Sequence, residues 1–136
     1  MKPLLVSGNV KAKGKVVLGT VKGDLHDIGK NLVRMMMEGK GLEVIDLGID
    51  VPCEKFIETA IQEKAQIIAC SALLTTTMNE MKLIVEAAKE AGIRDQVKIM
   101  IGGAPVTDQF RKNIGADLYA PDAASAAEVA VQACAN

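Results

Sequence analysis

Asp24 and His26 stand one residue apart in Gly23-Asp24-Leu25-His26-Asp27-Ile28-Gly29, and His26 is the single histidine of the chain. In an extended loop that spacing turns both side chains to one side. The carboxylate can then accept the proton of one imidazole nitrogen, which fixes the tautomer and leaves the other nitrogen to bind a metal. Gly29 has no side chain to obstruct a bulky group approaching the loop. A hydrolytic zinc centre needs two or three further nitrogen or sulfur ligands. No second histidine exists, so a metal held here must bring most of its own ligands. The same residues also read as a solvated histidine in the first turn of a helix, and spacing alone leaves both readings standing.

Two other stretches carry polar or permissive chemistry. Ser71-Ala72-Leu73-Leu74-Thr75-Thr76-Thr77 is rich in small hydroxyl residues, and Gly102-Gly103-Ala104 holds two glycines against which a ligand could lie. Each has a plain alternative. Serine and threonine cap helices by accepting from free first-turn amides, and a glycine pair can be a simple turn.

The elements that must position these residues alternate along the chain. Val16-Val17-Leu18-Gly19-Thr20 reads as a strand, followed by a helix from about Asp27 to Lys40 with Ile28, Leu32, Met35 and Met36 at helical spacing. Met35-Met36-Met37 is read as core packing rather than an adaptable binding surface. Glu43 to Gly48 alternates as a strand, and the next helix buries Phe56, Ile57, Ala60 and Ile61. The almost wholly apolar Ile67-Ile68-Ala69-Cys70-Ser71 suits a central parallel strand. A helix with Met78, Met81, Val85 and Ala88 inward ends at Gly92. Then come a strand at Val97 to Ile101, a short helix with Val106, Phe110 and Ile114, a strand at Ala116 to Ala120, and a helix from about Ala123 to Ala135. Five strands alternating with helices predict an α/β fold, a five-stranded doubly wound parallel sheet of the Rossmann or flavodoxin-like kind. The three chemistry-bearing loops then meet at its carboxyl edge. Residues 1–15 read as an N-terminal arm and 16–136 as one domain.

Composition excludes several classes. Hydrophobic residues make up 49% and charged residues 24%, with a formal net charge of -1 and no basic block. Nothing invites nucleic acid, and the scarcity of aromatics rules out a base-stacking surface. No segment approaches a membrane span or a signal peptide. Cys53, Cys70 and Cys134 are odd in number and far apart, which fits a reducing compartment and a cytoplasmic protein.

Taken in order, Asp24/His26/Gly29, Ser71/Leu73 and Gly102/Gly103 resemble the Asp-x-His-x-x-Gly, Ser-x-Leu and Gly-Gly signature of the cobalamin-binding domains of methionine synthase and of methyltransferase corrinoid proteins. The resemblance covers residues 16–134. It implies that His26 is the lower axial ligand of cobalt in place of the cofactor's own dimethylbenzimidazole, whose tail enters a slot between sheet and helices. Ser71 and Leu73 would line that slot, with Gly102 and Gly103 beside the tail. Thr77 falls where methionine synthase has a serine bonded to the Asp-His pair, which implies a relay Thr77–Asp24–His26. Gly23, Leu25, Asp27, Ile28, Thr75, Ala104 and Tyr119 complete the cofactor-binding set the resemblance implies.

The wording from Val21 to Asn31 and from Ser71 to Met78 resembles the branch that serves methylamine, methanol or methoxyl-group methyltransferases. The implied protein is a corrinoid carrier, alternating between methylcobalamin and Co(I). Its implied partners are a methyl-donor-specific methyltransferase, an acceptor methyltransferase and a reductive activase, and it is not expected to turn over alone. A cobalamin storage or sensing module is the alternative. An isomerase subunit is disfavoured by the second motif, and a flavin protein by the lack of rings to stack on an isoalloxazine. Members of this branch usually carry an N-terminal helical bundle over the corrin. About fifteen residues precede the first strand here, too few for such a cap, so the cap is expected from another chain or from a longer parent protein.

Overall fold

The computed structural model describes residues 14–25, 27–103 and 105–135. His26, Ala104 and almost all of the arm expected at residues 1–15 lie outside the described residues. Strands β1 (Lys15–Thr20), β2 (Glu43–Asp46), β3 (Ile67–Ser71), β4 (Lys98–Gly102) and β5 (Leu118–Ala120) alternate with helices α1 (Ile28–Gly39), α2 (Cys53–Glu63), α3 (Asn79–Glu90), α4 (Asp108–Ile114) and α5 (Ala123–Ala135). The strands form one sheet in the order β2-β1-β3-β4-β5, and every pairing is parallel. This is the expected doubly wound sheet, with flavodoxin strand order. In that order the chain leaves β1 toward one edge of the sheet and leaves β3 toward the other. The loops after these two strands diverge and open a crevice, the general ligand position of such sheets.

Side chains alternate between the two faces of a strand, and the core divides accordingly. Val17, Ile68, Cys70, Ile99 and Ile101 face α2, α3 and α4, while Val16, Leu18, Ile67, Ala69 and Met100 face α1 and α5. Both cores are apolar, as a parallel sheet covered on both sides requires.

Several element ends differ from the sequence reading because a carboxylate intervenes. The strand expected to run to Gly48 stops at Asp46, whose Oδ1 accepts the Gly48 amide at 2.9 Å and turns the chain. The last strand begins at Leu118 because Asp117 is taken by Arg94 (2.8 Å) and by the Ile99 amide (2.9 Å). Thr75–Thr77 forms a 3-10 turn ahead of α3. Ile61, expected in the core, is half exposed. The buried arc of α2 runs through Phe56, Ile57, Thr59 and Ala60, and Ile61 lies about 40° beyond its edge at Ile57.

The larger correction concerns α1. Of the three methionines expected in the core only Met37 is buried. Ile28, Leu32, Met35 and Met36 are exposed, Ile28 at 76% and Met35 at 59%. The arc that meets the sheet and α5 is instead Lys30, Val33 and Met37, spaced i, i+3, i+7. The helix is amphipathic, but its more continuous apolar face looks outward. Among the described residues no helix is long and apolar enough to cross a membrane.

Candidate functional site

The carboxyl ends of the strands finish in register. Thr20 pairs with Ser71, Ser71 with Gly102, and Gly102 with Ala120. One layer deeper on the α1/α5 face stand Leu18, Ala69 and Met100, whereas the last layer is built from small residues. Small side chains here, with alanines on the facing turns of α5, leave space where larger ones would close the core. A cleft of about 310 Å³ results. Leu18, Ala69 and Met100 form its floor, Gly29 and Val33 of α1 and Ala123 and Ala126 of α5 its walls, and Ser71, Leu73, Gly102 and Gly103 its mouth.

Asp24 lies beside this mouth, in the loop that follows β1, and is 1% exposed. Its Oδ2 accepts from the Leu73 amide at 2.6 Å, the Leu74 amide at 3.2 Å and the Thr77 hydroxyl at 2.8 Å. Three donors satisfy a buried carboxylate oxygen that would otherwise be costly to remove from water. The Thr77 hydroxyl can donate to one acceptor at a time, and its second geometric partner is the Leu74 carbonyl at 2.9 Å. The loop is also gripped from β2's side. Asp50 accepts the Gly23 amide on Oδ1 at 2.7 Å, and its own amide donates to the Asp24 carbonyl at 3.0 Å. Gly23 has φ +86° and Asp50 φ +53°, a left-handed conformation that glycine adopts freely and aspartate tolerates.

Asp24 and Thr77 are thus in direct contact, and Gly29, Ser71, Leu73, Gly102 and Gly103 are brought together around the cleft. Leu25, Ile28 and Thr75 are exposed at its edge of the sheet, and Asp27 is exposed at the start of α1. His26 and Ala104 fall outside the described residues. Tyr119 is not brought to the cleft. It alternates with Ala120 on β5 and packs on the opposite core, against the α2–α4 side. The glycine pair has its reason inside the chain. A Cβ on Gly103, where φ is +128°, would collide with the Ala72 carbonyl, and one on Gly102 would stand 3.1 Å from the Ala120 carbonyl.

Three features of the site escaped the sequence reading. One is the pair of amides at Leu73 and Leu74, which sequence cannot show. Another is Asp50. The third is Lys30, only 2% exposed, whose Nζ donates to both carboxylate oxygens of Asp46 (2.8 and 2.7 Å) and to Asn31 Oδ1 (2.8 Å), and lies 3.4 Å from Asp27. Its signal was available: Lys30 shares an arc with Val33 and Met37. The cysteines are free. Burial pushes the Cys70 thiol up to about 12.

The B12 binding domain family model matches residues 14–130. The chain belongs to the B12-binding domain family. Its cofactor is accordingly cobalamin or a related corrinoid. Trimethylamine corrinoid protein 1 of Methanosarcina acetivorans is 56% identical over 113 residues, which cover 83% of this chain and 52% of that protein. Dimethylamine corrinoid protein 3 of Methanosarcina mazei is 48% identical over 127 residues, covering 93% of this chain and 76% of the relative. The crystal structure of the methanol:cobalamin methyltransferase complex from Methanosarcina barkeri superposes with a TM-score of 0.87 at 36% identity, covering 93% of this chain and 48% of that one. The chain thus spans about half the length of the trimethylamine protein.

The cleft and its lining fit such a cofactor on physical grounds. A largely apolar cleft floored by a sheet suits the flat aromatic base of a nucleotide tail. Among the described residues no three His, Cys, Asp or Glu side chains gather as a metal site. A corrin macrocycle, which supplies four nitrogens of its own, needs a single protein ligand.

Proposed function

We propose that this B12-binding domain is the methyl-carrying corrinoid module of a methylamine-type methyltransferase system, holding its cofactor base-off with His26 on cobalt. The observation that carries the reading is Asp24. It is buried, held by two amides and a threonine hydroxyl through one oxygen, and placed two residues before the only histidine. Such a carboxylate is an orienting group for an imidazole, of the kind that tunes metal-bound histidines. The names of the relatives, and the methyltransferase complex among the solved structures, support the methyl-carrying role.

The bound corrinoid supplies the hard chemistry, a cobalt that accepts and releases a methyl group. The residues of the chain do the rest. The cleft behind Ser71 and Gly102 takes up the nucleotide tail and so keeps its base away from the metal. Asp24 would accept a hydrogen bond from one imidazole nitrogen of His26, leaving the other nitrogen available to hold cobalt. The negative charge of Asp24 would favour the protonated form of a neighbouring His26 imidazole whenever that ring is not serving as a ligand. Thr77 holds Asp24 in place throughout. The partners are a methyl-donor-specific methyltransferase, an acceptor methyltransferase and a reductive activase, and the compartment is the cytoplasm.

The test is methylation of the reduced, corrinoid-loaded protein by a methylamine methyltransferase, followed spectroscopically, with His26→Ala alongside. Methylation that depends on His26 supports the reading. Tight cofactor binding with no methylation by any methylamine or methanol methyltransferase would replace it with cobalamin storage or sensing.

A further inference from the structure

Lys30 presents a physical puzzle. Burying an ammonium is expensive, and even a well-paired buried ion pair often contributes no more stability than apolar residues of the same volume. Its position on α1, on the sheet-facing arc shared with Val33 and Met37, could have been filled by an apolar side chain like its neighbours. Its hydrogen bonds instead go to both carboxylate oxygens of Asp46 at the end of β2 and to Asn31 in the first turn of α1, and Asp27, the residue that follows His26, lies within ion-pair distance at 3.4 Å. Asp46 is itself fixed by the Gly48 amide and lies 3.6 Å from Arg34.

The chain on the two sides of position 26 is therefore anchored by two separate devices. On the N-terminal side, Asp24 is held by the Leu73 and Leu74 amides and Gly23 by Asp50. On the C-terminal side, Lys30 ties Asp27 and the start of α1 to β2. Only Leu25 stands in the sequence between Asp24 and His26. Functional side chains need placement to about 0.5 Å and 10–20°, achieved by a locked supporting shell. We propose that Lys30 is a positioning residue for His26, acting through Asp27, Asn31 and Asp46 without touching the cofactor. The inference rests on the reading of His26 as the cobalt ligand.

The test uses the full chain without a polyhistidine tag, so that the single histidine gives one Cε1–H resonance. Lys30→Met/Asp46→Asn removes the ion pair while leaving an acceptor for the Gly48 amide. Asp27→Ala removes a side chain that is 56% exposed and guards against a folding failure of the first variant. Both are expected to melt close to the wild-type protein in the cofactor-free form. In both, the histidine resonance moves toward that of a free imidazole and narrows. After loading with cobalamin and reduction to Co(II), the ratio of histidine-ligated to unligated cobalt falls about 10-fold, the size typical for loss of an outer-shell partner. A histidine resonance and a ligation ratio equal to wild type in both variants would overturn the inference and leave the proposed function intact. Wild-type protein without histidine nitrogen on cobalt would overturn the proposed ligand first, and the positioning role with it.

Discussion

Replacing Thr77 by valine removes one oxygen and keeps the shape of the side chain, so its effect isolates the hydroxyl. That hydroxyl is buried and 2.8 Å from Asp24 Oδ2. A hydrogen bond to a charged group contributes about 1.5–3 kcal/mol. The lower half of that range applies here, because Asp24 keeps the Leu73 and Leu74 amides and the Leu74 carbonyl keeps the Thr77 amide at 3.1 Å. A loss of about 2 kcal/mol in a domain of this size lowers the melting temperature by roughly 8 °C. Thr77→Ser keeps the hydroxyl and gives up one methyl, for about 0.8 kcal/mol and roughly 3 °C. Calorimetry of the cofactor-free proteins should therefore rank wild type above serine and serine above valine. A valine variant that melts at or above the serine variant would show that the two amides suffice for Asp24 and that the hydroxyl contributes nothing to holding it.

Gly103→Ala should cost about 3–5 kcal/mol in a urea unfolding curve, since the new Cβ meets the Ala72 carbonyl at a φ of +128°; a loss below 1 kcal/mol would show that the loop after β4 can shift freely. Ala126→Leu should fill the cleft wall and weaken binding of intact cobalamin by about 10-fold or more, on the order of 1.4 kcal/mol. The same variant should bind cobinamide, which has no nucleotide tail, like wild type. Equal losses for both ligands in a spectral titration would mean that the cleft does not hold the tail. In thiol labelling at pH 8, Cys53 and Cys134 should react before Cys70. The Cys70 thiol, pushed up to about 12 by burial, stays protonated four units below that value and reacts only on unfolding. Reaction of all three at one rate in native protein would contradict the buried placement of β3.

The alternation of strands and helices was legible because each buried strand is a short apolar run and each helix carries periodic apolar positions. Strand order was not. The placement of β1 between β2 and β3 is a tertiary fact, yet it decides that the loops bearing Asp24 and Thr77 meet. The faces of β1, β3 and β4 follow from strict alternation, and the same rule, applied to Tyr119 and Ala120, sets Tyr119 on the side away from the cleft. The reading of α1 failed for a specific reason. Counting apolar residues finds Ile28, Leu32, Met35 and Met36, whereas burial selects Lys30, Val33 and Met37, because an ion pair with Asp46 makes lysine acceptable inside. Periodicity reports which face is apolar, not which face the rest of the molecule covers. The cleft itself was legible only as a row of small residues, Ser71, Gly102 and Ala120, whose register needs the sheet.

In the proposed function His26 is the cobalt ligand, oriented by Asp24. The most direct measurement is the electron paramagnetic resonance spectrum of the protein loaded with cobalamin carrying a ¹⁵N-labelled benzimidazole and reduced to Co(II), recorded beside His26→Ala. Superhyperfine splitting from a single ¹⁴N, lost in the variant, is the predicted result. A ¹⁵N splitting in the wild-type protein would place the benzimidazole on cobalt and contradict the claim.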